Sequence, residues 1–134
     1  MGYPKFGKTI PEMTAEVRAV NVQKGWRSAD GGPGSNTFGD YIALLHSELS
    51  EALEAFRDWR LQDMTAAFPS DDAPKGALPK PEGVGSEMAD VLIRLLDMCD
   101  VFGIDLQAEY ERKVAYNRTR PYQHGGRTLA DANA

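Results

Sequence analysis

The stretch His46-Ser47-Glu48-Leu49-Ser50-Glu51-Ala52-Leu53-Glu54-Ala55-Phe56-Arg57 decides how this chain is read. It is helical in pattern and carries Glu48 and Glu51 three residues apart. Farther on, Glu87-Met88-Ala89-Asp90 repeats the spacing inside a second apolar helix. Carboxylates three apart share one side of a helix and can aim at a common point. Two such pairs, brought together by helix packing, would line one cavity with oxygen ligands, which hard divalent cations prefer.

Their place on the helix separates them from ordinary surface charge. At roughly 100° per residue, Tyr41, Ile42, Leu45, Leu49, Ala52, Leu53 and Phe56 form one apolar stripe. Glu48 and Glu51 fall along one edge of it, and Glu54 falls on the opposite, solvated face. In the second helix the stripe is Met88, Val91, Leu92, Leu95, Cys99 and Phe102, and Glu87 and Asp90 again lie along one edge. Edge carboxylates lose water when the stripe packs, which costs energy unless a cation or donor compensates.

Working outward, the helical pattern recurs along most of the chain. Thr9 is a candidate cap for a helix from Pro11 to near Gly25, with Met13, Val17 and Val20 as its apolar side. Arg27 to Asn36 reads as a plain loop by composition. Asn36 or Thr37 caps a helix from Phe38 to about Leu61. Residues 63–85, rich in Pro, Asp, Lys, Ala and Gly, read as a long surface loop, a length often tied to function or disorder. Ser86 is the candidate cap of a helix from Glu87 to Val101, ended by Gly103. Asp105 caps a last helix from Leu106 to about Arg118, and Pro121 stops it. Residues 1–10 form an extended arm and 121–134 an irregular tail. With no strand of any length in the pattern, the expected fold is all-α, one domain over 1–134 built as a bundle of about four helices.

Composition limits the function. The 134 residues are 42% hydrophobic and 26% charged with net charge −5, which suits a globular protein and disfavours a nucleic-acid polymer as partner. A small phosphorylated substrate stays compatible, because a bound metal reverses the local charge. One cysteine, Cys99, lies on an apolar stripe, so a cytoplasmic, reducing location is expected. No apolar run reaches the roughly 20 residues of a membrane span, so no membrane partner is expected.

The carboxylate pairs admit three readings. Solvated helix faces are the bland one, since Glu forms helices well. A di-iron bundle typically uses Glu-x-x-His on two helices; here the second pair is Glu-x-x-Asp, and His46 stands at the wrong spacing from Glu48. With no imidazole in either pair, Mg²⁺, with Mn²⁺ as an alternative, is preferred. Mg²⁺ shares its coordination sphere with water and substrate phosphates. Cations for such phosphates are available on the last helix: Lys113, Asn117 and Arg120 recur at four and three residues and can share a side. The same residues also suit an ordinary basic helix end.

These residues carry a family resemblance. The chain resembles the MazG-like nucleoside triphosphate pyrophosphohydrolases of the all-α NTP pyrophosphatase superfamily. The matching elements are Glu48-x-x-Glu51, Glu87-x-x-Asp90, and Lys113-x-x-x-Asn117 followed by Arg120-Pro121-Tyr122. The surroundings Asn21-x-x-Lys24-Gly25-Trp26, His46 to Ala52 and His124-Gly125-Gly126 are similar as well. The resemblance spans about residues 12 to 128, and the segment 63–85 departs from it by its length.

The resemblance implies a MazG-like helical fold and hydrolysis of an NTP or dNTP between the α- and β-phosphates, to a monophosphate and pyrophosphate. It implies Mg²⁺ on Glu48, Glu51, Glu87 and Asp90, with Glu48 or Glu51 activating water. It implies phosphate contacts from Lys113, Asn117 and Arg120, and a homodimer or dimer of dimers. Asn21, Lys24 and Trp26 are expected on the substrate. Phe38 and Trp59 are further stacking candidates and His46 a further polar one, with core packing as the alternative for each, the favoured one for Trp59, and a structural role equally open to His46. The competing class is a non-catalytic helical dimer that binds a nucleotide or a protein partner.

Overall fold

A computed structural model describes residues 7–58, 64, 65, 68, 69 and 75–122. The fold is all-α, with four helices among the described residues: α1 (Ile10–Gln23), α2 (Phe38–Arg57), α3 (Val84–Val101) and α4 (Leu106–Thr119). It divides into two compact units, Met1–Ile104 and Asp105–Ala134, so α1 to α3 make one body and α4 belongs to the other.

The helix starts follow local chemistry. Thr9 caps α1, its Oγ1 accepting from Glu12 N at 3.3 Å, with Pro11 in the first turn. Thr37 and Asp40 form a reciprocal capping box on α2: Asp40 N donates to Thr37 Oγ1 at 3.2 Å and Thr37 N to Asp40 Oδ2 at 2.8 Å. Asp105 caps α4 through Ala108 N at 3.0 Å.

Two boundaries differ from expectation. Helix α2 ends at Arg57 rather than near Leu61, because Asp58 turns to extended backbone (φ −72°, ψ 118°). Helix α3 begins at Val84, ahead of Ser86. Gly83 enters it at φ 125°, a conformation L side chains rarely adopt, so the chain turns without a side-chain cap. Ser86 is instead inside the first turn, its Oγ donating to Pro81 O at 3.0 Å. The loop before α3 also holds a short antiparallel pairing, Phe68–Pro69 (β1) against Pro81–Glu82 (β2), that no strand pattern in the sequence announced.

Helix α3 packs against both α2 and α1. The α2–α3 pair runs antiparallel. Phe38 and Tyr41, at the start of α2, meet Phe102 just past the end of α3 edge-on, with ring centroids 5.1 and 5.6 Å apart. Glu51, a helical turn and a half before the end of α2, meets Glu87 in the first turn of α3. The core is Tyr41, Ala52, Leu96, Met98 and Cys99.

The apolar stripe of α2 is only partly covered. Tyr41, Glu48 and Ala52 are its buried residues, while Leu49, Leu53 and Phe56 are 47%, 49% and 44% exposed. The carboxylate edge of the stripe therefore faces α3, and the far edge is bare. On α3, Met88 and Leu92 are likewise exposed. No helix among the described residues is long and apolar enough to cross a membrane.

Candidate metal centre

The turn spacing of α2 and α3, together with their antiparallel packing, brings the carboxylates into one place. Glu48, Glu87 and Asp90 each offer an oxygen, and these oxygens all lie within 4.8 Å of one another. Glu48 is buried, and Glu87 and Asp90 are half-buried. Glu51 is exposed and stands beside them, in carboxyl–carboxyl contact with both Glu48 and Glu87. Such contacts are favourable only with a shared proton or an intervening cation.

The charge states record that crowding. Burial pushes the Glu87 carboxyl above its ordinary value, and the charges of Glu51, Asp90 and Glu48 push it further. Asp90 is raised by burial and by Glu48, against the pull of Arg94 and Lys80. For Glu48 burial also acts upward and is the largest influence, yet Arg94, Glu51 and Lys80 together hold it below the ordinary carboxylate value. Two oxygens, Glu48 Oε2 and Glu87 Oε2, are buried with no hydrogen-bond partner among the described residues. A buried carboxylate oxygen without a donor is costly. A hard cation would satisfy both at once, and the all-oxygen donor set suits Mg²⁺ or Mn²⁺. His46 is exposed and Cys99 is buried in the core; neither joins the cluster.

A cavity of about 550 Å³ opens beside the cluster. Glu48, Asp90 and Arg94 form one side; Asn21, Trp26, Asn36, Tyr41 and Asp97 are on the others. Of the residues expected on a substrate, Asn21 (buried) and Trp26 (67% exposed) line this cavity. Lys24 caps the end of α1 and is not among the lining residues. Phe38 packs on Phe102 instead, and His46 lies elsewhere on α2. Trp59 and His124 fall outside the described residues.

The loop that carries Trp26 is not plain. Its centre is Arg27, whose side chain is 2% exposed. Arg27 Nη1 donates to Asp100 Oδ2 at 2.7 Å and to Asp97 Oδ1 at 3.4 Å, and Nη2 donates to Gly31 O. Asp100 is shared with Arg18, whose Nε donates to Oδ2 at 2.7 Å. These bonds strap the loop to α3, so the cavity wall is fixed by a buried ion-pair network. Gly34 closes the loop at φ 63°, where a Cβ would come within 3.2 Å of Trp26 O. Tyr41 OH donates to Pro33 O at 3.2 Å.

Three of these residues escaped the sequence reading. Arg94 stands four residues after Asp90 on the same helix side, and its Nε donates to Glu48 Oε1 at 2.5 Å. That i, i+4 relation to Asp90 was a weak signal that could have found it. Lys80 bears electrostatically on Glu48 and Asp90 from the loop before α3. Arg27 had no signal in its own neighbourhood; its partners Asp97 and Asp100 are some seventy residues away. On α4, in the other unit, Lys113 and Asn117 are exposed on the helix and Arg120 is its C-cap, with Arg120 N donating to Asn117 O at 3.2 Å.

No family model, curated protein or solved structure matches this chain.

Proposed function

We propose that this chain is a Mg²⁺-dependent nucleotide pyrophosphohydrolase that cleaves an NTP or dNTP between the α- and β-phosphates, giving a monophosphate and pyrophosphate. One observation carries the proposal: two buried carboxylate oxygens, Glu48 Oε2 and Glu87 Oε2, have no hydrogen-bond partner among the described residues, in a cluster whose Glu48 and Asp90 line a cavity large enough for a nucleotide. The volume, about 550 Å³, lies within the usual range of small-molecule sites.

Glu48, Glu51, Glu87 and Asp90 would hold the cation. Bound there, Mg²⁺ supplies charge opposite the phosphate oxygens and acidifies a water molecule. Glu51 would orient a water molecule and accept its proton, since it is the exposed member of the cluster and Glu48 is engaged by Arg94. Trp26 offers a face for base stacking, and Asn21 and Asn36 offer amide donors and acceptors. Lys24 is the weaker candidate for substrate contact. The resemblance adds Lys113, Asn117 and Arg120 as phosphate contacts.

The bare edge formed by Leu49, Leu53 and Phe56 supports a homo-oligomer, most simply an isologous dimer. Light scattering that finds fully active monomers would remove that part. A cytoplasmic location agrees with the free, buried Cys99. The enzymatic reading is tested by pyrophosphate release from a panel of ribo- and deoxynucleoside triphosphates. Release should require Mg²⁺ or Mn²⁺; undiminished release in excess EDTA, or binding of nucleotides without any release, would overturn it, the second outcome favouring the non-catalytic binding module.

A further inference from the structure

Among the cavity-lining residues, Arg94 is the cationic one. Its Nε bonds Glu48 Oε1 at 2.5 Å, and its side chain is still 38% exposed. A guanidinium carries five N–H donors in a rigid fork. Among the described residues Arg94 donates to Glu48 Oε1 through Nε, and Nη1 and Nη2 have no acceptor there. Arg94 thus does two things at once. It neutralises the most buried carboxylate of the cluster, and it keeps donors available on the cavity wall. The oxygen it occupies belongs to a residue that a cation would need.

We propose that Arg94 is a further phosphate-binding residue, held on Glu48 while no cation is bound and passed to a substrate phosphate when a divalent cation takes the Glu48 carboxylate. The proposal rests on the metal-site reading above. Its physical basis is exchange of partners. Arg94 on Glu48 Oε1 and a cation on the unpartnered Glu48 Oε2 would share the one negative charge of that carboxylate and repel each other, and the displaced fork suits a phosphate in bidentate geometry. Bringing a cation and a phosphate together then keeps every charge paired: Glu48 with the cation, Arg94 with the anion. Either one alone leaves a partner short, so cation and phosphate should bind cooperatively.

The exchange makes a prediction opposite in sign to that of a structural role. If Arg94 only props Glu48 in place, its loss weakens cation binding. If it competes with the cation, its loss strengthens cation binding and weakens phosphate binding. The test is calorimetric titration of the full chain with Mn²⁺ alone, then of the Mn²⁺-loaded protein with inorganic pyrophosphate, for wild type and Arg94→Met. Loss of one charge-assisted contact corresponds to roughly tenfold or more in affinity. Arg94→Met should therefore bind Mn²⁺ about tenfold tighter and pyrophosphate about tenfold more weakly.

Unchanged or weaker Mn²⁺ binding in the variant, or unchanged pyrophosphate binding, overturns the exchange while leaving the metal site standing. Failure of wild type to bind Mn²⁺ overturns both. Should Arg94→Met not fold, the wild type alone decides. The Arg94 Nε–H resonance should move when Mg²⁺ is added without nucleotide, and a resonance that stays in place overturns the proposal.

Discussion

Replacing Glu87 by glutamine should make the metal-free protein more stable. Glu87 sits among Glu48, Glu51 and Asp90, and its Oε2 is buried without a donor among the described residues. An unsatisfied buried polar group costs about 1–3 kcal/mol. Because Glu87 is half-buried as a whole, the lower part of that range applies, about 1–2 kcal/mol. For a chain of this length that is a rise in Tm of about 3–8 °C.

The sign depends on pH. The native Glu87 carboxyl titrates above its ordinary value of 4.5, so below that value it is protonated in both native and unfolded states and costs nothing. As pH rises through the raised native value, the unfolded state sheds its proton first, and native stability falls. The advantage of Glu87→Gln should thus be present at neutral pH and vanish in acid. Magnesium should reverse the order, since it stabilises the wild type by binding the native state and has one charged ligand fewer in the variant. Calorimetric melting in EDTA and in Mg²⁺, at neutral and acid pH, reads all of this. A lower Tm for Glu87→Gln in EDTA at neutral pH would refute the idea that the cluster is a strained, cation-shaped site.

Three further outcomes test the site, the loop that frames it and the proposed phosphate contacts. Glu51→Gln should abolish pyrophosphate release with the fold intact, whereas Glu54→Gln should behave as wild type, because Glu54 is exposed and pairs with Arg57 at 3.3 Å; equal effects in a release assay would undo the distinction. Arg27→Met should cost about 3 kcal/mol, since it strands buried Asp97, although Arg18 still serves Asp100; a denaturant midpoint unchanged from wild type would contradict the network. If Lys113 and Arg120 contact phosphate as the family resemblance implies, Lys113→Ala and Arg120→Ala should lower kcat/KM by roughly ten- to a hundredfold while leaving Mn²⁺ binding without nucleotide unchanged; wild-type kinetics would reduce that helix end to a charge cluster.

The parts of this molecule that local chemistry controls were legible in the sequence. Thr9, Thr37 and Asp105 cap helices because their side chains reach backbone donors three residues on, a relation visible in the chain itself. The pairing of Glu48 with Glu51 and of Glu87 with Asp90 follows from helical period alone. Their convergence depended on α2 meeting α3, which two similar stripes already suggested. What stayed hidden is what tertiary contact decides. Arg94 and Glu48 are 46 residues apart, and the i, i+4 spacing of Arg94 from Asp90 points to the cluster without naming Glu48 as the partner. Arg27 lies in a stretch whose glycines and polar residues read as solvated loop, yet two aspartates from α3 bury it. A broad apolar stripe also does not say which part a chain covers itself, so Leu49, Leu53 and Phe56 looked like core and are half exposed. The start of α3 was displaced because Gly83, free to adopt φ 125°, replaced the cap that Ser86 seemed to offer.

The most direct measurement is anomalous diffraction from crystals of the protein grown with Mn²⁺. A metal site built as described gives a peak among Glu48, Glu51, Glu87 and Asp90, with carboxylate oxygens as its ligands and Glu48 Oε2 and Glu87 Oε2 among them. A map with no peak there at saturating Mn²⁺, or with its peak at other residues, would contradict the central claim.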